Sequence, residues 1–358
     1  MKRLTDLAGI SVATTVIALC ASLLPAGASL RTDSAALGSQ WLTSNVSTSS
    51  SLADVVQSAL AETEAGGAAT SLSGELTYLE QASVITTYVD GNGITPSAAN
   101  DGPGQLAELI ILAHLTGTDT QFGASSLLTR LLNTQQSPSA GTAAGLFGDP
   151  VIHSPQYDGT YRQALSLEAL ALSGYSSSDP AVSNGETWLL AQQCSGITTD
   201  GGFTSDRTVG PSKVQCIGQA ADFAGPDSNS TAQALTALAM LSAPSGPGTP
   251  EHRALGYLSR IEKDSARWGY FTLPADSSST ALVIQALRAA GRSVSSTSTR
   301  FARGPLTPLL GLLSFQYTGA GPKQGGFRIN TTGLYTTPDP YSTEQAIQAL
   351  AFSFVRGG

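Results

Sequence analysis

The stretch PDSNSTAQALTALA, residues 226–239, combines a helix-start signal with a run of small and apolar residues. Asp227 stands where a side-chain oxygen can accept hydrogen bonds from the first backbone N–H groups of a helix. The same pattern returns as DSSSTA at residues 276–281 and as PDPYST at residues 338–343. A segment that recurs in this form predicts a fold built from repeated helical units.

A Gly-then-apolar turn recurs along the chain, and 53 to 67 residues separate successive copies. The copies lie at Gly93-Ile94, Leu146-Phe147, Gly202-Phe203, Gly269-Tyr270 and Gly326-Phe327. One series of helical runs covers residues 52–61, 105–115, 162–172, 230–241, 279–290 and 342–352. A second series covers residues 33–42, 72–88, 122–135, 180–194, 250–261 and 301–315. The repeat therefore predicts twelve helices in six pairs, each second-series helix preceding its partner.

Six helical pairs form either an open solenoid or a closed ring, and the terminal units distinguish the two. The last run, residues 342–352, is as apolar as the internal runs and lacks the polar face that a solenoid cap needs. Closure is therefore expected, with one helix of each pair inside the ring and the other outside. The Ala-rich runs 232–239 and 281–290 are predicted on the inner ring, where small side chains let helices approach closely.

Two further features complete a resemblance to a known family. Gln193 precedes Gly201-Gly202-Phe203, and Gln316 precedes Gly325-Gly326-Phe327. Together with the Asp-Ser-Thr segments, they resemble prenyltransferase and squalene-cyclase repeats over roughly residues 33–355. The resemblance implies an all-α fold, an (α/α)6 toroid of twelve helices in six inner/outer pairs. The segment Gln192-Gln193-Cys194, which precedes the Gly-Gly-aromatic turn, resembles the segment before this turn in exported repeat proteins of GC-rich Gram-positive bacteria.

The same fold carries terpene cyclases, protein prenyltransferases, the complement thioester domain and cobalamin-binding domains, so it does not by itself predict a function. The sequence lacks the Asp-x-Asp-Asp acid of class II terpene cyclases and the Asp-x-Cys zinc pair of protein prenyltransferases. It also lacks the Gly-Cys-Gly-Glu-Gln segment of thioester domains. No cofactor and no metal site are predicted.

Composition and the N-terminus indicate an exported protein. The 358 residues carry a net charge of −8 with only 12% charged residues, and the scattered Lys and Arg argue against nucleic-acid binding. Residues 1–28 join a basic start, an apolar run and small residues, as a secretory signal peptide does. The alternative is an uncleaved membrane anchor. We expect residues 29–358 to form a single secreted, monomeric toroid domain.

Two cysteines remain after a signal peptide, Cys194 and Cys216, with 21 residues between them. An even count in an exported chain predicts a disulfide. The alternative is a cysteine-centred metal site, but neither cysteine has the short Cys or His spacing of zinc sites.

Residues 153–162 hold the first group of candidate site residues, Tyr157, Asp158, Tyr161 and Arg162. A glycan lyase uses a Tyr or His base with a neutralising Arg, and this segment supplies such a set. The structural alternative has Asp158 capping a helix, the tyrosines lining the ring end, and Arg162 pairing with an acid. His114 is expected on the core or lining face of an apolar helix.

The helix-capping segments supply the second group of candidates: Asp227, Asn229, Asp276, Asp339 and Tyr341. If the inner helices start at one end, these residues converge there as a polar mouth over an apolar barrel, which is a plausible ligand site. The alternative is that they only cap helices.

From these features we predict a secreted toroid that binds a ligand without catalysis. The expected ligand is a small apolar or corrinoid-like molecule, or a cell-surface glycan. The alternative is an enzyme, either a terpenoid-cyclase-like isomerase or a carbohydrate-active hydrolase or lyase. A desolvated carboxylate, or a Tyr and Arg pair, inside the cavity would favour the enzyme.

Overall fold

The computed structural model describes residues 27–66, 72–89, 101–118, 126–148, 159–205, 216, 225–263, 265–271, 273–332 and 335–353. These residues are mainly helical. The α-helices are α1 Gly27–Asn45, α2 Leu52–Glu64, α3 Ser73–Leu79, α4 Ala82–Val89, α5 Pro103–Thr116, α6 Leu127–Asn133, α7 Thr160–Leu172, α8 Pro180–Leu190, α9 Ser228–Met240, α10 Pro250–Ile261, α11 Ser277–Ala289, α12 Pro308–Leu313 and α13 Pro340–Ala351. A short 3-10 helix covers Gly141–Ala143, and strand β1 Phe203–Thr204 pairs antiparallel with β2 Pro226–Asp227.

Six of these helices form a closed inner ring. In order they are α2, α5, α7, α9, α11 and α13; each packs on the next, and α13 packs back on α2. The Ala-rich runs lie in this ring, and α9 and α11 are buried along almost their whole length. The predicted all-α toroid and its closure are confirmed.

The outer helices do not pair as the sequence predicts. Helices α6, α8, α10 and α12 each pack mainly on the inner helix that precedes them. The first helix, α1, packs mainly on α13, the last helix in the described part of the chain. The grouping in which each outer helix precedes its inner partner is therefore not confirmed, and the N-terminal helix completes the outer layer of the last repeat.

Predicted caps start three of the inner helices. Asp227 accepts hydrogen bonds from the backbone N–H groups of Asn229 and Ser230, both at 2.8 Å. Asp276 accepts one from Ser279 at 2.7 Å, and Asp339 accepts one from Ser342 at 2.8 Å. These bonds satisfy donors that would otherwise lack a partner at a buried helix end.

The threonine of each repeated segment anchors the preceding aromatic turn. The hydroxyl oxygens of Thr231, Thr280 and Thr343 accept hydrogen bonds from the backbone N–H groups of Phe203, Trp268 and Phe327, at 2.9, 3.1 and 2.9 Å. In an earlier repeat the Gln163 side chain takes this role and accepts from the backbone N–H of Phe147 at 2.8 Å. Each aromatic residue of these turns is almost completely buried, so the hydrogen bond satisfies a donor that water cannot reach.

A glutamine in two of the repeats connects its turn to the next outer helix. Gln193 donates to the carbonyl oxygens of Gly201 and Pro250, at 3.1 and 2.8 Å. Gln316 donates to the carbonyl oxygens of Gly325 and Ser34, at 3.0 and 2.9 Å. Because Ser34 lies on α1, the last repeat uses the first helix as its next outer helix.

A glycine in each of these turns touches the backbone of that outer helix. Gly201 and Gly325 have φ values of +83° and +90°, which disfavour any residue with a Cβ. A Cβ on Gly201 would lie 2.0 Å from the carbonyl oxygen of Arg253, and one on Gly325 would lie 2.0 Å from that of Leu37. The seam between the chain's two ends thus repeats the geometry of an internal repeat.

Several local expectations have definite outcomes. The predicted helix over residues 72–88 is two helices, α3 and α4, because the chain turns at Glu80 and Gln81 and the Gln81 carbonyl accepts the first bonds of α4. The predicted Cys194–Cys216 disulfide is present. The first turn, Gly93-Ile94, and residues 1–26 of the predicted signal peptide lie outside the described residues. Within the described part, no helix is long and apolar enough to cross a membrane.

Candidate active site

The ring encloses a cavity with two connected halves of about 310 Å³ each. The outer half lies at the N-terminal ends of inner helices, and the inner half extends toward their C-terminal ends. Four residues, Gln57, Glu108, Tyr161 and Leu165, line both halves and form the boundary between them. Other residues of the outer half are Ala53, Asp54, Tyr88, Gly104, Gln105, Arg162, Tyr341 and Glu344.

Glu108 is the carboxyl group at this boundary. It accepts a hydrogen bond from the Gln57 amide at 2.8 Å and another from the Tyr88 hydroxyl. Burial raises the pKa of Glu108, while the Tyr88 hydroxyl, the Arg162 guanidinium and the Gln57 amide each act to lower it. Burial is the largest of these effects, so the pKa of Glu108 is raised overall, and the three neighbouring groups limit the rise.

Glu344 lies in the outer half in a very different environment. The residue is fully buried, and neither carboxyl oxygen has a hydrogen-bond partner among the described residues. Burial, together with the nearby carboxylates of Asp54 and Asp339, raises the pKa of Glu344 to about 9. At neutral pH this side chain is therefore a protonated acid facing the cavity.

Three tyrosines surround the two carboxyl groups. Tyr341 is 48% exposed, and loss of solvent around its hydroxyl together with the Glu108 charge raises its pKa to about 12. Burial, followed by the Glu108 charge, raises the pKa of Tyr88 well above its usual value. Burial and the Tyr341 and Glu108 charges do the same to the pKa of Tyr161. All three are therefore neutral hydroxyl donors at physiological pH.

The inner half has an apolar wall and a few polar groups. The apolar lining consists of Leu60, Ile111, Leu115, Leu165, Leu172, Met240, Leu282 and Phe352. The polar lining adds His114 and two acids, Glu64 and Glu168, with the amides of Gln233, Gln285, Gln345 and Gln348. His114 is a lining residue, as expected. The barrel is less apolar than predicted, because each inner helix contributes a glutamine or a glutamate to it.

The residues predicted from sequence separate into three groups. Tyr161, Arg162 and Tyr341 line the outer half together. Tyr157 and Asp158 lie outside the described residues. The remaining candidates, Asp227, Asn229, Asp276 and Asp339, lie at helix starts and do not line either half of the cavity.

The acids at the centre of the site were missed by the sequence analysis. Glu64, Glu108, Glu168 and Glu344 each stand within an inner helix, where a single charged residue among Ala and Leu resembles the solvated face of an amphipathic helix. The available signal was that every inner helical run carries a Gln or Glu, although the predicted ring buries these helices. Within the described residues, no group of three or more His, Cys, Asp or Glu side chains is placed to hold a metal ion.

No protein-family model and no curated protein sequence matches the chain. Solved structures do resemble it. A crystal structure of an unsaturated glucuronyl hydrolase specific for heparin matches with a TM-score of 0.62 and 12% identity, over 90% of this chain and 96% of that one. A structure of a UGL variant with the oligosaccharide dGlcA-Glc-Rha-Glc matches with a TM-score of 0.52 and 14% identity, over 82% and 83%.

A terpenoid cyclase also matches. The ent-copalyl diphosphate synthase from Streptomyces platensis gives a TM-score of 0.49 at 18% identity, over 84% of this chain and 50% of that one. At these identities the glucuronyl hydrolase structures show the α/α toroid fold and nothing finer.

The expectation of a non-catalytic binder is contradicted. Of the structures named above, the two with TM-scores above 0.5 are of unsaturated glucuronyl hydrolases, which are carbohydrate-active enzymes as in the alternative. The cavity also contains the features that we expected of an enzyme. These are desolvated carboxyl groups and the neighbouring Tyr161 and Arg162.

Proposed function

We propose that the protein is a carbohydrate-active hydrolase that cleaves a glycosidic bond in the outer half of the cavity. The observation that carries the proposal is the pair of buried carboxyl groups, Glu108 and Glu344, in one cavity with opposite environments. Two acids whose surroundings separate their pKa values are the usual arrangement for general acid and base catalysis.

The environments assign the roles. Among the described residues Glu344 has no donor or cation to stabilise a negative charge, so it holds its proton and gives it to the leaving glycosidic oxygen. Burial raises the pKa of Glu108 too, but Arg162, Tyr88 and Gln57 oppose that rise, and we assign the carboxylate role to Glu108 for this reason. Its carboxylate stabilises the positive charge that develops on the sugar ring, or activates the attacking water. The bond between the anomeric carbon and the leaving oxygen breaks as that oxygen takes the proton of Glu344. Water adds to the anomeric carbon and gives a proton to Glu108, and proton exchange with solvent then restores the Glu344 acid and the Glu108 carboxylate.

The rest of the outer half fits a sugar. Tyr161 and Tyr341 offer aromatic surfaces and neutral hydroxyl groups, and Gln105 offers an amide donor and acceptor. A volume of about 310 Å³ is at the low end for ligand pockets, which fits one or two sugar units and not a longer chain. The two glucuronyl hydrolase structures support the choice of an oligosaccharide over other substrates.

The test is a depolymerisation screen with matched variants. Purified protein is incubated with oligosaccharides that end in an unsaturated glucuronyl unit and with neutral oligosaccharides, and released reducing ends are measured. We expect turnover of at least one substrate, and a loss of about 10³-fold in kcat/KM for Glu344→Gln and for Glu108→Gln, within the range expected for removal of an acid or base. Glu75→Gln is the control, because Glu75 is also a partly buried acid with a pKa raised to about 7, mainly by burial, but lies outside the cavity.

Two results would count against the roles. Full activity in both cavity variants would remove the acid and base assignment, whereas equal loss in Glu75→Gln would show a general effect on folding. The pH profile of kcat/KM adds a second readout: we expect activity to fall above about pH 9, where Glu344 loses its proton.

We also propose that the chain is an exported member of the prenyltransferase and squalene-cyclase repeat family. The repeated hydrogen bonds of Thr231, Thr280 and Thr343 and the Cys194–Cys216 disulfide support this. N-terminal sequencing of protein recovered from a culture medium tests it, and we expect the mature chain to begin at residue 29. A start at residue 1, or retention of the protein in the membrane, would contradict it.

A further inference from the structure

The inner half of the cavity presents a buried amide oxygen without a donor. A hydrogen-bond chain fixes the orientation of these amides: Gln57 donates to Glu108 at 2.8 Å, and the Gln57 oxygen accepts from Gln348 at 2.9 Å and from the Gln345 nitrogen at 3.4 Å. The Gln345 oxygen is thereby turned away from Gln57 and has no hydrogen-bond partner among the described residues. Gln345 is only 3% exposed, so bulk water does not replace the missing donor.

Two acids of the same half have few of the partners that a buried charge requires. One carboxyl oxygen of Glu64 is buried without a hydrogen-bond partner in the described part of the chain. Glu168 is 6% exposed and accepts a hydrogen bond from the neutral Gln233 amide at 2.7 Å. Both acids line the inner half, so a ligand there would meet acceptor oxygens from three different helices, α2, α7 and α13.

The character of the wall restricts the ligand. A bare metal ion does not fit, because no three acidic, His or Cys side chains of the described residues converge on one point. The apolar part of the wall, which includes Leu282, Met240 and Phe352, instead matches a ligand with an apolar body. The acceptors require N–H donors, and the acids favour a positive charge.

We infer that the inner half of the cavity binds a primary amine carried on a compact apolar ring, whose N–H groups donate to Glu64, Glu168 and the Gln345 oxygen. This site lies toward the C-terminal ends of the inner helices, whereas Glu344 lies near their N-terminal ends, and amine binding requires no turnover.

Binding of a cation is coupled to proton release. Burial raises the pKa of Glu64 to about 8, against the opposing effect of the Arg288 guanidinium. Burial also raises the pKa of Glu168 well above its usual value; the Gln233 amide opposes this shift, and the Glu64 charge adds to it. The empty acids therefore hold their protons near neutral pH, and an arriving ammonium group displaces them. The other titratable groups that line this half are Glu108, His114 and Tyr161.

Isothermal titration calorimetry tests the inference with a matched pair of probes, cyclohexylammonium and cyclohexanol. An alkyl ammonium stays charged through the range of the experiment, since its pKa is close to the value of about 10.4 for lysine. We expect cyclohexylammonium to bind at least 10-fold more tightly than cyclohexanol at pH 8. We also expect its affinity to rise about 10-fold between pH 6.5 and pH 8.5, with protons released to the buffer.

Variants locate the site. The double variant Glu64→Gln and Glu168→Gln should lose at least 10-fold in cyclohexylammonium affinity and should no longer release protons, while the control Glu75→Gln should keep both. These substitutions preserve side-chain size and remove only charge, and circular dichroism checks that the fold remains.

Equal affinity for the two probes, or binding that is unchanged in the double variant, would overturn the inference. Binding without proton release in the wild type would overturn it as well, even if the double variant fails to fold. A protein that binds the amine but cleaves no oligosaccharide would support this inference and contradict the proposed function. A protein that cleaves an oligosaccharide but does not bind the amine would support the proposed function and overturn this inference.

Discussion

Thr343 and Glu344 are neighbours on α13, and both are fully buried polar side chains, yet their surroundings differ completely. The Thr343 hydroxyl accepts a hydrogen bond from the Phe327 backbone N–H at 2.9 Å and donates one to the Asp339 carbonyl at 2.8 Å. Neither carboxyl oxygen of Glu344 has a hydrogen-bond partner in the described part of the protein. The two positions represent two regions of the molecule, the repeat turn and the cavity.

The difference separates residues that build the toroid from residues that are available for chemistry. A buried polar group without a partner costs about 1–3 kcal/mol or more, so a folded protein retains few of them without a functional reason. The three repeated Thr hydroxyls have partners, whereas Glu344, Glu64 and Gln345 have oxygens without donors among the described residues. Hydroxyls at helix starts and turns, such as Ser277, Ser342 and Thr204, also lack a partner there, so the cavity is distinguished by carrying carboxyl and amide oxygens of this kind. Three substitution experiments test this distinction.

The largest effect is expected in a turn, at Gly325. Its φ is +90°, and a Cβ would lie 2.0 Å from the Leu37 carbonyl oxygen, so Gly325→Ala must separate α1 from the last turn. We expect the free energy of unfolding to fall by about 4 kcal/mol or more. Gly66→Ala is the matched control: its φ is +84° and a Cβ there meets nothing within 4 Å, so only the backbone strain of about 1–2 kcal/mol remains.

Urea denaturation followed by circular dichroism measures both glycine variants. If Gly325→Ala and Gly66→Ala lose the same stability, the contact between the last turn and α1 does not hold the ring closed.

A smaller loss is expected when a turn hydroxyl is removed. Thr231→Val keeps the side-chain shape but leaves the buried Phe203 backbone N–H without its acceptor, so the free energy of unfolding should fall by about 2 kcal/mol. Thr86→Val is the control, because Thr86 is exposed and its hydroxyl bonds only to Ala82 within the same helix. A loss at Thr231 no larger than that at Thr86 would show that the turn hydrogen bonds are not the source of stability.

The smallest effect, with the opposite sign, is expected in the cavity at mildly acidic pH. The folded-state pKa of Glu344 is raised by burial to about 9, so the folded protein binds a proton that the unfolded chain releases above about pH 4.3. Stability therefore falls as pH rises from about 4.3 toward 9. Glu344→Gln removes this penalty and should be nearly equal in stability to the wild type at pH 4, more stable by about 1–2 kcal/mol at pH 5.5, and more stable still as pH rises toward 9.

Thermal unfolding of Glu344→Gln across this pH range, beside the exposed control Glu80→Gln, provides the measurement. If the stabilities of Glu344→Gln and the wild type differ by the same amount at every pH from 4 to 9, Glu344 is solvated. That result would contradict its role as a buried acid.

The fold could be predicted from the sequence because the motifs that indicate it are local and repeated. Asp276 and Asp339 cap helices as their positions predict, and the Gly-Gly-aromatic turns recur with the same contacts. The pairing of helices was not accessible, because whether an outer helix packs on the preceding or the following inner helix depends on its tilt in the assembled ring. The packing of α1 on α13 joins residues from opposite ends of the chain, which no local pattern reports.

Most residues of the candidate site could not be predicted from the sequence, because their positions also depend on contacts between distant helices. Tyr161, Arg162 and Tyr341 were found because aromatic and basic residues near helix starts attract attention as candidates. Glu108 and Glu344 were not, because a lone acid in a helix is normally solvated, and only ring closure turns that face toward a sealed interior. Their chemistry depends on neighbours from other helices, such as Tyr88 beside Glu108.

The contact between α1 and the last repeat also determines when the ring can close during folding. Gln316 bonds to Ser34 and Arg31 bonds to Leu350, contacts that span 282 and 319 residues of chain. Contacts of such long range carry the highest loop-closure cost and slow folding. During synthesis the first helix must wait, unpaired, until the last repeat emerges, and until then the chain is an open arc with apolar edges at both ends. We therefore expect the seam to be the last part of the protein to form.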